Sequence, residues 1–215
     1  MEAKGMSRNS IILSAGVVSV LIVAGLYFMF GFSGGRPEPA GSEKTKSAVG
    51  AATEKENGMH AVTIETTKGA FRFMTYDADA PKAVENFITL AGKKFYDGLT
   101  FHRVIPGFMI QGGDPFGNGT GGPGYTFEDE LNPETESYKN GYTRGAVAMA
   151  NAGSNTNGSQ FFIMHKDYAL PHNYTIFGKV IEGMEVVDAI TALQTDEQDK
   201  PLTAVVMKRV TVEEK

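Results

Sequence analysis

The stretch Phe101-His-Arg-Val-Ile-Pro-Gly-Phe-Met-Ile-Gln-Gly-Gly-Asp114 decides how the rest of the chain is read. One fixed cation, Arg103, stands among aromatic and aliphatic residues. The pair Pro106-Gly107 is a turn signal, and Gly112-Gly113 is a second one. Two short apolar runs bounded in this way predict two strands joined by a tight turn. A guanidinium beside an apolar surface is costly unless it meets solvent, a partner or a ligand. Two readings stand at this point: an arginine stem lying over the edge of a core, or a cation set beside a binding surface.

A second stretch lies downstream: Arg144-Gly-Ala-Val-Ala-Met-Ala-Asn-Ala-Gly-Ser-Asn-Thr-Asn-Gly-Ser-Gln-Phe-Phe-Ile163. In this order the two stretches resemble the signature of the cyclophilins, the peptidyl-prolyl cis-trans isomerases. The chain looks like a membrane-anchored, bacterial-like member. The resemblance runs from about Met59 to the C-terminus and does not extend over the residues before it.

Those earlier residues read differently. After a basic tail (1–10) with Lys4 and Arg8 comes an uncharged, mostly apolar run from Ile11 to Phe32. At about 1.5 Å per residue, a helix of that length spans a ~30 Å hydrocarbon core. The apolar region of a cleaved signal peptide is shorter, about 7–15 residues. Residues 11–32 are therefore expected to be an uncleaved signal-anchor, a single transmembrane helix. Arg36, Lys44 and Lys46 follow it, so the count of positive charges does not decide the orientation. The short basic tail favours a cytoplasmic N-terminus and a folded domain outside the cytoplasm. Residues 33–58 contain no aromatic residue, Leu or Ile beyond the run's edge and cannot bury enough surface to offset ordering entropy. They read as a disordered linker with a reach of roughly 25–30 Å.

Residues 59–215 form the expected folded domain. Ala61–Thr66 and Ala70–Thr75 alternate as strands around the turn at Thr67-Lys-Gly69. Asp79 reads as a helix N-cap before Pro81. Val84, Phe87, Ile88 and Ala91 then make one buried helical face. Further strands are expected over 146–150, 160–164, 175–181 and 203–212. Val186, Ala189, Ile190 and Leu193 mark a second helix. This pattern is mainly β with helices at its ends. The resemblance implies a closed eight-stranded antiparallel β-barrel capped by two α-helices.

Composition narrows the chemistry. The net charge is −5 with no basic block, which argues against nucleic acid as a partner. There is no cysteine, so disulfides and thiolate catalysis are excluded. The glycine-rich run 115–124 lacks the Gly-Lys-Ser/Thr ending of a phosphate loop. Glu128-Asp-Glu130 lacks the spacing of a calcium loop and reads as a solvated acidic turn. The four histidines show no zinc spacing, and no metal site is expected.

Small eight-stranded barrels are filled by their own side chains, so a peptide must bind outside. Strand alternation puts Met109 with Gln111, and Gln160 with Phe162. By resemblance, the proline pocket would be Phe108, Met109, Phe162 and Leu170, with Tyr174 at its margin. Gln111 would hold and orient Arg103, the catalytic donor. Ala150, Asn151 and Gln160 would contact the substrate backbone. Phe108 has the wrong parity for a regular strand, so the Pro106-Gly107 turn must make the strand start irregular. No cofactor is needed.

The chain also departs from the family pattern. Ala169 stands where animal-type members carry tryptophan, Tyr174 where they carry histidine, and Ser154 where proline is frequent. The loop between Lys166 and Tyr174 differs in length. Only weak binding of cyclosporin-type peptides is expected. Two functions fit: isomerisation of X-Pro bonds in polypeptide clients at a membrane surface, or a membrane-tethered proline-peptide-binding module or holdase with incidental catalysis.

Overall fold

The computed structural model describes residues 59–214. Strands β1 (His60–Thr66) and β2 (Gly69–Thr75) form a hairpin in which Val62 faces Phe73 and Ile64 faces Phe71. Helix α1 (Pro81–Gly92) follows. Then come β3 (Phe101–Ile105), β4 (Met109–Gly112), the short helix α2 (Glu136–Asn140), β5 (Ala146–Met149) and β6 (Phe161–Met164). β7 (Ile176–Glu182), α3 (Met184–Thr191) and β8 (Met207–Glu214) complete the order. The expected anchor (11–32) and linker (33–58) lie outside the described residues. Among the described residues no helix is long and apolar enough to cross a membrane.

The strands make one antiparallel sheet in the order β3-β4-β6-β5-β7-β2-β1-β8. The sheet curls into a half-barrel and does not close, which corrects the expected closed barrel. Its two edges, β3 and β8, share no ladder; they meet through the isolated bridge Thr100↔Val206. The residues expected to begin the last strand at 203 are spent elsewhere. Phe101 N–H donates to Val205 O and Val104 N–H to Asp199 O. The connecting segment contains Pro201, which has no N–H to donate, and Asp196 N–H bonds back to Lys200 O within it. The segment covers the β3 edge instead of extending the sheet, which also leaves that edge poorly available to another chain.

One side of the sheet packs against the main core. Val104, Ile110, Ile163 and Val147 lie in register across β3, β4, β6 and β5, and all are fully buried. Phe87 from α1 sits at the centre of this core, stacked on Tyr96 at 4.7 Å and edge-on to Phe73 and Phe161. The opposite parity builds a second cluster of Met109, Phe162, Ala148, Met164, Ile176 and Tyr142. Both parities are therefore apolar in β5 and β6.

The helices differ from expectation in three respects. Three are present among the described residues rather than two: α2 is a single turn, N-capped by Thr135, whose hydroxyl accepts from Tyr138 N–H. In α1 the N-cap position is Ala80, which has no side-chain acceptor, and Asp79 instead accepts from Ser137 N–H at 2.9 Å. The caps of α1 come from Glu130, whose two carboxylate oxygens accept from Lys82 N–H at 3.0 Å and Ala83 N–H at 2.9 Å. The acidic turn is thus a staple, with Asp129 also accepting from Asn155 N–H and Asn157 Nδ2. In α3 the buried face is Val186, Val187, Ile190 and Thr191, whereas Ala189 lies off it.

Candidate active site

The site begins at the turn between β3 and β4. Gly107 has φ +80°, a conformation that glycine adopts at no steric cost. Phe108 N–H donates to Ile105 O, and Phe108 O accepts from His165 N–H at 2.8 Å. Phe108 therefore lies in the turn, one residue ahead of β4. It is free of strand parity and packs against the outer cluster with Met109 and Phe162. Its ring lies 4.7 Å from that of Tyr168. The sequence reading missed Tyr168, although an aromatic one residue before Ala169 in a loop of altered length was a signal. Ala169 itself is exposed.

From this turn a row of residues crosses the side of the sheet opposite the main core, from half-exposed Arg103 to buried Phe162 and Ala148. Arg103 faces Gln111, Gln111 faces Phe162, and Phe162 faces Ala148. Antiparallel register places neighbours of one row on one side of the sheet. A cation, an amide and an apolar ring thus stand side by side. Leu170, Ala150 and Tyr174 pack onto the same cluster. The Tyr174 ring meets Phe162 edge-on at 5.5 Å. Its main chain is clasped by Tyr142, whose hydroxyl donates to Tyr174 O at 2.9 Å and accepts from Tyr174 N–H at 3.0 Å. Burial raises the Tyr142 phenol above its ordinary value.

The polar members are tied into a chain. Gln111 Nε2 donates to Gln160 Oε1 at 2.9 Å. Gln160 Nε2 donates in turn to Gly119 O and Gly121 O. The glycine loop that supplies these carbonyls is wrapped on Asp114, which accepts from the N–H groups of Phe116, Asn118 and Gly119. Burial pushes the Asp114 carboxyl up, but these three donors outweigh it and hold its pKa below the usual carboxylate value. A Cβ on Gly121 would come within 2.0 Å of Asp114 Oδ1, so this glycine serves close packing on a carboxylate. Asn151 Nδ2 donates to Asn173 O, and Ala150 N–H to Gln160 O.

Gln111 lies opposite Arg103 in register and donates its Nε2 to Gln160. The side-chain bond of Arg103 runs from Nε to Asp199 Oδ2 at 3.4 Å. Two concavities adjoin the row. One of about 320 Å³ is lined by His102, Asp114, Phe116 and Lys200. The other, of about 410 Å³, shares Leu170 and Tyr168. Neither is lined by Arg103, Gln111 or Phe162.

Comparison with known proteins settles what family this surface belongs to. The family described as "Cyclophilin type peptidyl-prolyl cis-trans isomerase/CLD" matches residues 61–212. The chain belongs to the cyclophilin-type peptidyl-prolyl cis-trans isomerases. Peptidyl-prolyl cis-trans isomerase B of Streptomyces anulatus is 48% identical over 171 residues, covering 70% of this chain and 95% of that protein. Peptidyl-prolyl cis-trans isomerase CYP18-1 of Arabidopsis thaliana is 47% identical over 156 residues, covering 71% and 95%. Among solved structures, a cyclophilin type isomerase of Cryptosporidium parvum is 38% identical with a TM-score of 0.65, covering 72% of this chain and 98% of that one. A second structure of that protein, determined in the presence of the dipeptide Ala-Pro, gives a TM-score of 0.64 at 38% identity, covering 71% and 98%. The cyclophilin domain described above thus carries an isomerase activity, and the row from Arg103 to Phe162 is its candidate active surface.

Proposed function

We propose that this cyclophilin turns X-Pro bonds on the row Arg103–Gln111–Phe162. The client proline would sit against Phe108, Met109, Phe162 and Leu170, with Tyr174 as a side wall. Ala150, Asn151 and Gln160 would border the client backbone. The observation that carries this reading is the register that sets Arg103 two strands from Phe162 on one outward row. The Cryptosporidium structure obtained with Ala-Pro supports proline-containing peptides as the ligand class.

The chemistry follows from the amide bond. Rotation is resisted by ~18–20 kcal/mol because nitrogen shares its lone pair with the carbonyl. In the half-rotated state that pair is localised on nitrogen and can accept a hydrogen bond. Arg103, always charged, donates to it there and not in the planar ground state, as catalysis requires. Uncatalysed exchange takes tens to hundreds of seconds. A turnover of ~10² per second therefore needs roughly 10⁴-fold, or about 5–6 kcal/mol. A charged hydrogen bond contributes about 1.5–3 kcal/mol. The apolar surface, which disfavours the more polar planar amide and grips the ring in a twisted geometry, is assigned the remainder.

The test is isomerisation of a short X-Pro peptide by the full chain and by Arg103→Ala. A loss of about tenfold or more is expected. A loss below about threefold would remove Arg103 from the mechanism. The apolar run 11–32 supports action at a membrane surface, with the domain outside the cytoplasm. Membrane association resistant to alkaline washing, with the domain open to external protease, is the expected result. Release by the wash would contradict it. Cyclosporin is expected to bind weakly, with Kd above about 1 μM; tighter binding would show that the Tyr168–Leu170 loop supplies what tryptophan does elsewhere.

A further inference from the structure

We infer that Asp199 is the positioning residue for Arg103. The inference rests on Arg103 being the catalytic donor. Arg103 Nε donates to Asp199 Oδ2, and both side chains are partly exposed, at 43% and 42%. A guanidinium carries its donors in one rigid plane. A bond of 3.4 Å at Nε biases the orientation of that plane and leaves both terminal nitrogens, which have no hydrogen-bond partner among the described residues. Among the described residues the side-chain hydrogen bond of Arg103 goes to Asp199, while Gln111 donates its Nε2 to Gln160.

Asp199 is itself held closely. Its carbonyl accepts from Val104 N–H at 2.8 Å, the residue next to Arg103 in β3. Its own N–H donates to Asp196 O at 3.1 Å. Asp196 Oδ1 accepts from Gln198 N–H and Lys200 N–H, and Thr195 bridges Pro201. Asp199 adopts φ +63°, a left-handed conformation that aspartate, asparagine and glycine visit more readily than other residues. A buttressed turn thus delivers one carboxylate to the inner nitrogen of Arg103. A half-exposed ion pair adds little to stability, so the main consequence of this pair is the aim of the guanidinium.

The test compares Asp199→Gly and Asp199→Asn, both suited to the left-handed backbone, in the full chain. Isomerisation of an X-Pro peptide is followed over a range of peptide concentrations. For Asp199→Gly, kcat is expected to fall about two- to fivefold, the weight of a half-exposed pair. KM should stay within about twofold, because the carboxylate is placed away from the apolar surface that binds proline. The kcat of Asp199→Asn should fall between that of Asp199→Gly and that of the natural chain. The melting temperature should move by less than about 2–4 °C. In an Arg103→Ala background, Asp199→Gly should have no further effect. An unchanged or raised kcat, or the same loss with and without Arg103, would overturn the inference. Full activity of Arg103→Ala alone would instead overturn the assignment of Arg103.

Discussion

The imidazole Nδ1 of His165 accepts a hydrogen bond from Gly107 N–H at 2.8 Å. On the other side of the ring, Nε2 lies 3.3 Å from Asp188 Oδ1. Arg144 grips the same carboxylate with two bonds of 2.8 Å and also donates to His165 O. This selects the neutral tautomer with its proton on Nε2, and it fixes the turn that presents Phe108. A proton on Nδ1 would meet the N–H of Gly107. Burial lowers the His165 pKa; Asp188 opposes this, while Arg144 and Lys166 add to it. A lowered folded-state value means that the unfolded chain binds the proton first as pH falls. The stabilisation is complete above the ordinary histidine value of 6.5 and is lost as pH drops through the folded value. Urea unfolding at pH 7.5 and 5.5 should show a smaller fall in stability for His165→Gln than for the natural chain. His102, whose pKa burial also lowers, keeps part of the dependence in both. An equal fall would show that His165 does not titrate against the turn.

Glu130 caps a helix almost fifty residues before it in the chain. Lys82 and Ala83 occupy the second and third positions of α1, where N–H groups lack helical acceptors. Glu130 supplies both acceptors, and its own N–H is tied to Thr175 Oγ1 at 2.8 Å. Glu130→Ala should cost about 1–2 kcal/mol, in the upper range of a lost cap. Denaturant unfolding with an unchanged m-value would read this out. Glu130→Gln, which keeps one acceptor, should cost less.

These two residues mark how far the sequence could be read. Alternation and helical period located β1, β2, α1 and the strands around Phe162, because each buries one regular face. The opposed parities of Met109 and Ile110, and of Phe162 and Ile163, separated the outer row from the core. The open edge was not legible: it depends on how the backbone groups of residues 195–206 are hydrogen-bonded, which no periodicity records. The cap from Glu130 and the bond from Arg103 to Asp199 were hidden for a similar reason, since both join residues far apart in sequence. Asp79 beside Pro81 carried the local signal of a cap, and tertiary contact with α2 took its carboxylate instead. Five-residue α2 is too short to show a period.

Gly113 tests the close packing beneath the site. It has φ +84°, and a Cβ there would lie 2.3 Å from Ser159 O. Ser159 Oγ in turn donates to Gly113 O at 2.7 Å, so the two segments cannot part cheaply. Gly98 has a similar φ of +86° but open space around it. Gly98→Ala should therefore cost only the left-handed backbone, about 1–2 kcal/mol. Gly113→Ala adds a backbone clash and should cost at least about 3 kcal/mol, with loss of activity through the displaced Gln160. Thermal unfolding of the pair gives the comparison. Equal effects would mean that the Ser159 segment yields without penalty.

Tyr142 tests whether Tyr174 acts as a wall of the proline surface. The Tyr142 hydroxyl both donates to and accepts from the main chain of Tyr174, and this sets the edge-on contact with Phe162. Tyr142→Phe leaves a carbonyl and an N–H without their partner, at a cost of about 1–3 kcal/mol. The Tyr142 ring would still fill its place in the outer cluster, so the fold should persist. Arg103 belongs to the far end of the row and is untouched. KM for a proline peptide should therefore rise more than kcat falls, the pattern of lost binding that is shared by ground and transition states. Burial keeps the phenol protonated past its ordinary value of 10.0, so the effect should be the same at every pH from about 6 to 9. A fall confined to kcat would place Tyr174 beside the reacting bond instead of beside the ring it binds.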